Sequence, residues 1–399
     1  MSLKIALVID KFDPRMGGAE RYARDLSSWL IDKGHEVHVF CRKGRSGGSG
    51  VIIRRVPCLS YPKSLRLLTF VIRTRMMIAR EEFDVVHALG YNTGATVLGP
   101  HTGVEESWIE GDRRSYETGM QRIFSRITRA LSPREYLIGR LQQRQYREPG
   151  VRAIVAISDM VKEDMIKYRG VDPGRITVVY NGVDTVRFSP NNGTNRREET
   201  RYGLGVPPDE LLILMVTNNF RLKGVLCAIR ALPRLDDRIG RPCRLFVVGR
   251  GDPGPYLREA EKSGVAGRVV FLEHVQDLAP LYAAADLLLH PTFYDSCALV
   301  VIEAIASGLP VVTTAKNGAA GLISSPDLGL VVDDPRDTET LADAVSRYAS
   351  EEARRNARAA ALEAHGGLSD EVNFSRILDI YQRAALADRR HGTAQTTEG

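Results

Sequence analysis

The feature that most constrains this chain is a regular alternation of short β-branched runs with helical patterns. The runs in the first half are KIALVID, EVHVFC, VIIRRV, DVVHAL, RAIVAIS and RITVVY. Helical stretches separate them, and AERYARDLSSWLIDKG is the first. Buried strands that alternate with helices are typical of βαβ units, in which the strands are parallel. The sequence therefore predicts an α/β fold.

The alternation stops once and then begins again, which indicates two domains. A polar, turn-rich stretch covers residues 189–210, and a second series of runs follows: LLILMV, RLFVVG, RVVFL, DLLLH, PVVTT and LGLVV. A chain of 399 residues is also longer than one hydrophobic core usually serves. We predict an N-terminal domain over residues 1–185 and a C-terminal domain over residues 190–370.

Two doubly wound, Rossmann-like domains are expected to face each other across a cleft, where ligands bind at the carboxyl ends of the strands. The pattern EVNFSRILDIYQRAALA predicts a helix over residues 371–388 that packs back on the first domain. Residues 389–399 are polar and are expected to form a disordered tail.

Composition excludes several classes of protein. No stretch approaches the roughly 18 apolar residues that span a bilayer, and the first residues lack a signal-peptide cleavage site. The five cysteines form no CxxC pair, and their odd number argues against a closed disulfide framework. We therefore expect a cytoplasmic protein. The formal net charge is +6, and the excess of lysine and arginine lies in the first half, which favours an anionic partner there.

One predicted helix combines an apolar surface with a single acid. In DLLLHPTFYDSCALVVIEAIASGLPVVTT, Ser296 is a suitable N-cap, and Gly308 followed by Pro310 ends the helix. Glu303 is the one charged residue on this helix, and a buried carboxylate needs a hydroxyl-rich or cationic partner. A ribose is such a partner. The alternative is a structural ion pair with a lysine or arginine.

Asp295 stands just before the same helix. The backbone N–H groups of Cys297, Ala298 and Leu299 are expected to point out of the first helical turn, where phosphate oxygens bind well. A diphosphate fits this position. The alternative is that Asp295 only assists the helix cap.

These residues resemble the signature of glycosyltransferase family 4, whose members have the GT-B fold. The family pattern is Glu, seven residues, Glu and an Ala-rich turn with Gly-x-Pro-Val, and this chain has Asp295, Glu303 and AIASGLPVV. The resemblance implies that Asp295 contacts hydroxyls of the donor sugar and that Glu303 holds the ribose. Aspartate is one methylene shorter than glutamate, so the chain departs from the family at the sugar contact.

The resemblance extends to the segment TNNFRLKGV. It implies that Lys223 and Arg221 form the cationic clamp on the donor diphosphate, where positive charge stabilises the leaving group. Lys223, next to Gly224, is the firmer match, because the family usually spaces the arginine further from the lysine. Exposed cations that are merely solvated are the alternative.

Two further segments resemble the nucleotide side of the family's donor site. LFVVGRGDPG matches a loop that follows a strand, and it brings Gly249 and Arg250 near the nucleotide. EHVQDL resembles the segment that meets the base through backbone groups, at His274 and Val275. Together with Ser296, these residues complete the expected donor site.

The N-terminal half contains the expected acceptor side. DKFDPRMGGAERYARDLSSWL resembles the family's glycine loop, in which Gly17 and Gly18 allow phosphate or acceptor to approach the backbone. In GPHTGVEESWIEG, His101 matches by position a histidine that contacts the donor sugar in many members. Some relatives have an acid nearby instead, so Glu105 and Glu106 are alternatives.

The resemblance implies a retaining transferase that needs no metal, no cofactor and no protein nucleophile. The expected donor is a UDP- or GDP-sugar, and the expected acceptor is a glycan or a lipid-linked glycan. LLLHP and the KNGAAG region resemble lipopolysaccharide core glucosyltransferases. A role in cell-envelope polysaccharide or lipopolysaccharide synthesis is therefore expected.

Three other functions compete with this interpretation. Sugar-nucleotide 2-epimerases share the two-domain architecture. Gly249, Gly251 and Gly254 spell a GxGxxG dinucleotide fingerprint and would indicate an NAD-dependent oxidoreductase, but the fingerprint belongs in the first βαβ unit of a domain. Nucleic-acid binding is not expected, because the basic residues lack interleaved aromatics and a recognisable module.

The basic residues indicate an anionic membrane surface. Residues 61–80 carry five cations and no acids among apolar residues, and residues 113–147 add nine arginines. Such segments favour peripheral attachment at the inner leaflet, beside a lipid-linked acceptor. A solvated helix face is the alternative.

Overall fold

The structure, a computed structural model, describes residues 2–13, 17–44, 50–192, 194–273 and 275–395. The chain divides into two compact units. Unit 1 comprises Met1–Ser107, Met120–Tyr180 and Asn373–Gly399, and unit 2 comprises Trp108–Gly119 and Asn181–Val372. The sequence assigned every residue before 185 to the first domain, whereas Trp108–Gly119 groups with unit 2.

Unit 1 is built on a seven-stranded parallel sheet with the order β5-β3-β1-β6-β7-β8-β9, beside a two-stranded pair of β2 and β4. The strands are β1 (Lys4–Val8), β2 (Lys11–Phe12), β3 (Glu36–Cys41), β4 (Lys43–Gly44), β5 (Ile52–Arg55), β6 (Val85–Ala88), β7 (Val97–Leu98), β8 (Ala153–Ala156) and β9 (Ile176–Val178). The helices that begin in this half of the chain are α1 (Gly18–Asp32), α2 (Lys63–Ile78), α3 (Glu105–Arg114), α4 (Gly119–Ala130), α5 (Pro133–Gln145) and α6 (Asp159–Arg169).

Unit 2 contains a six-stranded parallel sheet with the order β12-β11-β10-β13-β14-β15. The strands are β10 (Leu211–Val216), β11 (Cys243–Val248), β12 (Val269–Leu272), β13 (Leu287–His290), β14 (Val311–Thr314) and β15 (Gly329–Val332). The helices are α7 (Thr194–Gly203), α8 (Val225–Ala231), α9 (Asp236–Ile239), α10 (Gly254–Lys262), α11 (Ala279–Ala284), α12 (Leu299–Ala306), α13 (Thr338–Ser346) and α14 (Glu351–Ala364).

Both sheets are parallel throughout and alternate with helices along the chain, so the predicted α/β architecture of two doubly wound units is confirmed. Short 3₁₀ turns complete the connections, at Pro173–Arg175, Pro190–Asn192, Leu232–Leu235, Ala266–Arg268, Gly318–Leu322 and His365–Leu368. Within the described residues, no helix is both long enough and apolar enough to cross a bilayer.

The last helix, α15 (Asp370–Gln395), belongs to unit 1 from Asn373 onward. Its apolar face enters the unit 1 core through Phe374, Ile377 and Tyr381, whose spacing repeats every helical turn. The sequence predicts a disordered tail from residue 389, but residues 389–395 continue the helix. No proline lies in this stretch to end it.

A buried hydrogen bond fastens α15 to the unit 1 sheet. Tyr381 is fully buried, and its hydroxyl lies 2.6 Å from Nδ1 of His87 on β6. Burial lowers the pKa of His87 to about 3, so its ring is neutral at physiological pH. Breaking this bond would leave a polar group of His87 buried without a partner, which costs more than the bond contributes when formed.

Replacing Tyr381 with phenylalanine is therefore expected to destabilise unit 1 by about 1–3 kcal/mol. Trp29 packs 5.8 Å from Phe374 of α15, so its fluorescence in a Trp108→Phe background reports urea unfolding of this unit. Tyr202 is 90% exposed, so Tyr202→Phe serves as the control. Its free energy of unfolding should stay within about 0.5 kcal/mol of the wild-type value. Equal urea midpoints for the two variants would show that the buried bond contributes nothing.

Candidate active site

Two loops at the carboxyl edge of the unit 2 sheet are fastened to each other. One follows β10 and runs through Lys223, and the other follows β13 and runs through Asp295. The N–H of Phe293 donates to the carbonyl of Leu222 at 2.9 Å. Gly224 has φ +71°, and a Cβ there would lie 2.0 Å from the carbonyl oxygen of Pro291. Only glycine fits this approach, so the sequence Lys-Gly fixes the distance between the loops.

Lys223 and Asp295 form an ion pair between these loops. The ammonium of Lys223 lies 2.5 Å from Oδ2 of Asp295 and donates to the carbonyl of Tyr294 at 2.9 Å. Burial by itself would raise the pKa of Asp295, but the charge of Lys223 and the proximity of His290 hold it well below its usual range. Asp295 is therefore ionised, and the structure brings these two predicted site residues together.

His290 ends β13 directly behind this pair. Its side chain is buried, and Nε2 lies 3.5 Å from Oδ2 of Asp295, at the outer limit of a hydrogen bond. Within the described part of the chain, neither ring nitrogen has a closer partner. Burial lowers the pKa of His290, so a neutral ring supports the carboxylate.

Glu303 lies inside α12 and is only 1% exposed. The hydroxyl of Tyr282, on α11, donates to its Oε2 at 2.8 Å. The buried carboxylate of Glu303 thus has a tyrosine hydroxyl of the protein as one of its hydrogen-bond partners. This bond fixes the orientation of the carboxylate.

The start of α12 differs from the prediction. Ala298 is the N-cap, not Ser296, no side chain caps the first turn, and Oδ1 of Asn317 accepts from the N–H of Ala298 itself at 3.2 Å. The N–H of Cys297 donates to Oδ1 of Asp295 at 3.3 Å. Two of the three N–H groups expected to face a diphosphate are therefore already used.

The first turn of α12 still presents unpaired donors. The N–H groups of Leu299 and Val300 have no acceptor among the described residues. Both residues are partly exposed. The unpaired N–H groups at the start of the helix therefore begin at Leu299, two residues later than the predicted set.

Arg221 is occupied by a neighbouring segment of unit 2. Its guanidinium donates to the Oδ1 of Asp112 at 2.7 Å, to the carbonyl of Asp112 at 2.9 Å and to the hydroxyl of Ser115. It also stacks 3.8 Å from the ring centroid of Tyr116. Arg221 thus fastens Trp108–Gly119 to unit 2, which explains why that segment groups there.

The loop after β11 approaches the backbone after β10. Gly249 has φ +142°, and a Cβ there would lie 1.8 Å from the carbonyl oxygen of Thr217. The N–H of Arg250 donates to Oδ1 of Asn218 at 3.1 Å, and the Arg250 side chain is exposed. Val275 is half-buried after β12, and His274 lies outside the described residues. These segments all follow strands and so share the carboxyl edge with Lys223.

In unit 1, His101 follows β7 and packs against Tyr22 of α1, with ring centroids 4.2 Å apart and the ring planes tilted by 43°. Burial lowers the pKa of His101 to about 4, so the ring is neutral at physiological pH. Gly17 is the N-cap of α1 and Gly18 is its first residue. The backbone of Gly17 is extended, with φ −179°, a conformation open to any residue.

The two alternative acids in unit 1 have separate surroundings. Glu105 accepts from the hydroxyl of Tyr91 at 2.6 Å, and burial together with neighbouring Glu135 raises its pKa to about 7. Glu106 is paired with Arg169. Glu105 is therefore partly protonated near neutral pH.

No cluster of three or more metal-ligating side chains occurs in the part of the chain that the structure describes.

Comparisons with known proteins decide the family. Residues 16–187 match the family model described as Glycosyltransferase Family 4, and residues 210–351 match that of Glycosyl transferases group 1. The lipopolysaccharide glucosyltransferase WaaG of Escherichia coli is 34% identical over 339 residues, which cover 84% of this chain and 87% of WaaG. The chain belongs to glycosyltransferase family 4.

Solved structures agree with the fold. The crystal structure of WaaG, a glycosyltransferase involved in lipopolysaccharide biosynthesis, superposes with a TM-score of 0.79 at 24% identity and covers 94% of this chain and 99% of that one. Anabaena Alr3699/HepE in complex with UDP and glucose gives a TM-score of 0.69 at 18% identity over 96% of this chain and 99% of that one. The fold is GT-B, and the dinucleotide interpretation of the GxGxxG glycines is wrong.

Sequence reasoning missed Asn317 and Tyr282. Asn317 accepts from the N–H groups of both Ala298 and Ala319 and donates to Thr313 at 3.1 Å. The Asn-Gly pair was a usable signal, because asparagine before a turn commonly caps the residues that follow. Nothing in the sequence pairs Tyr282 with Glu303, which is 21 residues away.

Replacing Asn317 with alanine is expected to lower stability by about 1–2 kcal/mol, because it removes the cap of the 3₁₀ turn Gly318–Leu322 and the acceptor of the Ala298 N–H beside α12. Asn317→Asp keeps the accepting oxygen, so this variant should lose less stability than the alanine variant. Thermal unfolding of both variants checks this expectation. An equal loss for alanine and aspartate would mean that the cap is not what stabilises the loop around Asp295.

Proposed function

We propose that this family 4 glycosyltransferase moves a sugar from a nucleotide-diphosphate donor, a UDP- or GDP-sugar, to a glycan or lipid-linked acceptor with retention of configuration. The observation that carries the proposal is the Lys223–Asp295 ion pair at the carboxyl edge of the unit 2 sheet, beside the open first turn of α12. A positive charge and two backbone donors there suit a diphosphate.

Lys223 is proposed to bind the diphosphate through its remaining donor. An ammonium has three N–H groups, and two contact Tyr294 and Asp295. The N–H groups of Leu299 and Val300 are proposed as the second contact. Arg250 and the backbone at Gly249 and Val275 are proposed to lie beside the nucleotide.

Glu303 is proposed to hold the ribose. A carboxylate has about four acceptor positions, and the hydroxyl of Tyr282 uses one on Oε2. Tyr282 thus orients the group for ribose hydroxyls rather than replacing them. Ribose hydroxyls donate to a carboxylate without needing a second charge.

Asp295 is proposed to contact hydroxyls of the donor sugar and to set donor preference. Its carboxylate is ionised and fixed by Lys223 and His290. Because its side chain is shorter than the family's glutamate, its oxygens stay closer to the protein backbone. Donors whose hydroxyls reach further toward the loop are therefore preferred.

The proposed reaction breaks the bond between the anomeric carbon and the donor phosphate oxygen. The acceptor hydroxyl attacks the same face, and its proton passes to the departing phosphate. Lys223 stabilises the charge that develops on that phosphate. This route needs neither a metal nor a cofactor.

On the acceptor side we propose that His101 contacts the donor sugar, with Glu105 or Glu106 as the alternatives; the hydroxyl of Tyr91 already holds Glu105 in place, and Arg169 pairs with Glu106. The WaaG relative supports an acceptor in cell-envelope polysaccharide or lipopolysaccharide synthesis.

A donor screen tests the proposal. UDP- and GDP-sugars are offered with and without EDTA, and NMR of the anomeric proton reports the product. Retained configuration and full activity in EDTA are expected. An inverted product contradicts the mechanism, and a free epimerised sugar nucleotide formed without acceptor would instead indicate a 2-epimerase.

Variants test the residue roles in the same assay. Glu303→Ala is expected to weaken donor binding about tenfold or more by removing charge-assisted hydrogen bonds. Lys223→Met should lower kcat by about 10²–10³, as expected for loss of leaving-group stabilisation. Glu261→Gln, at an exposed site on α10, is the control and should match wild type. Unchanged donor affinity in Glu303→Ala would refute the ribose role.

We also propose that α4 attaches the enzyme to the anionic inner leaflet of the membrane. Large apolar side chains on this helix and just after it are exposed rather than buried: Met120 81%, Ile123 62%, Phe124 69%, Ile127 52% and Leu131 77%. Their spacing puts them on one helical face. A protein in water gains nothing by exposing such a face, whereas a bilayer interface would bury it.

The charges of α4 suit anionic lipid. Arg122, Arg126 and Arg129 stand on the opposite side of the helix, and α4 contains no acid. Long arginine side chains can reach headgroups while the apolar face inserts. Within the predicted segments 61–80 and 113–147, α4 is the element that best supports attachment, while α2 buries Phe70, Val71 and Thr74.

Ile123→Ser/Phe124→Ser is expected to reduce binding to anionic vesicles by at least about tenfold, because each residue loses roughly 1.5–3 kcal/mol of apolar burial. Cosedimentation at low salt with phosphatidylglycerol-containing vesicles measures it. Leu362→Ser/Leu386→Ser, at 45% and 53% exposed positions outside α4, is the matched control. Failure of the wild type to sediment would contradict membrane attachment.

A further inference from the structure

A cavity of about 420 Å³ lies in unit 2, at the opposite edge of the sheet from Lys223 and Asp295. Asp286 and Pro310 are among its lining residues, and they directly precede β13 and β14. They therefore mark the amino edge of the sheet. Lys223 and Asp295 follow β10 and β13 and mark the opposite, carboxyl edge. The cavity belongs to a different part of the unit.

Arginine dominates the charge of this cavity. Its lining contains the two carboxylates of Asp286 and Glu351. The cationic side chains among the lining residues are Arg187, Arg196, Arg197, Arg354, Arg355 and Arg358. Ser189 and Ser307 add hydroxyl groups. The excess of positive charge is therefore large for a pocket of this size.

The single negative charge of Asp286, inside the cavity, cannot neutralise the positive charges of the arginines around it. Asp286 accepts from Arg197 at 2.6 Å and lies 3.2 Å from both Arg201 and Arg354. It also accepts from the N–H of Leu212 at 2.7 Å. One carboxylate thus faces three guanidinium groups, which leaves positive charge uncompensated in a partly buried site.

The outer arginines are less engaged. Arg196 is exposed and makes no ion pair or hydrogen bond among the residues described, and the nearby carboxylate of Asp277 is already paired with Arg187 at 2.9 Å. Among the described residues, Arg355 pairs only with Glu351, one helical turn away, and both side chains are well exposed. Arg358 donates to the carbonyl of Pro190 at 2.5 Å and has no ion pair within the part of the chain that the structure describes.

We propose that this cavity binds a small phosphorylated anion with at least two negative charges. Guanidinium groups match phosphate oxygens in geometry as well as charge, and several converge here around a space large enough for a small-molecule ligand. Tyr282 lines the cavity and also donates to Glu303. The bound anion thus lies one side chain away from the carboxylate proposed to hold the ribose. Binding itself does not depend on the proposed transferase mechanism.

Isothermal titration calorimetry of the full chain at constant ionic strength tests the inference, with inorganic pyrophosphate and glucose 6-phosphate as separate probes. A Lys223→Met background weakens diphosphate binding at the proposed donor site. Either probe should still bind in that background. Its affinity should fall at least about tenfold when Arg196→Ala/Arg355→Ala is added. The probe that binds with the higher affinity shows whether the cavity prefers a free diphosphate or a sugar phosphate.

Lys262→Ala/Arg347→Ala removes two exposed positive charges elsewhere in unit 2 and serves as the control, with unchanged affinity expected. Both arginines chosen for the test are exposed, so their loss should leave the thermal unfolding midpoint near that of wild type. The inference is overturned if neither probe binds in the Lys223→Met background. It is also overturned if the two double variants lose affinity equally.

Discussion

The ion pair between Lys223 and Asp295 is the interaction on which the candidate site depends. It joins the loops after β10 and β13, two neighbouring strands of a parallel sheet. Burying the carboxylate would be costly without a partner, and the ammonium at 2.5 Å together with His290 offsets that cost. The close contact between Gly224 and Pro291 keeps the loops near enough for the pair to form. Charge and backbone packing therefore support each other here.

The same requirement shapes the rest of unit 2. Buried acids of this unit are paired with groups from distant parts of the chain. Glu303 accepts a hydrogen bond from Tyr282, and Asp286 forms ion pairs with arginines of α7 and α14. Asp112 forms an ion pair with Arg221. This pair holds Trp108–Gly119, a segment from the first half of the chain, in unit 2. A residue expected to clamp phosphate is thus engaged in assembling the unit.

Particular elements show how far sequence reasoning reached. The β-branched runs and their restart predicted both parallel sheets, because buried strands need continuous apolar residues. The interval from Asp295 to Glu303 pointed to the family and to the candidate site proposed for the donor. The helix cap was placed wrongly at Ser296, because the helix begins after Ala298, whose N–H donates to Asn317, 19 residues away. Local signals describe local turns, and this contact is not local.

The sequence by itself determined the fold class and the family, since periodicity and motif spacing are properties of the chain. Only the tertiary structure decided which charges are paired. It pairs Lys223 with Asp295, occupies Arg221 with Asp112, and leaves the arginines around Asp286 in excess. The physical reason is that pairing depends on distances of a few ångströms between groups far apart in the chain. Those distances exist only after both sheets have formed.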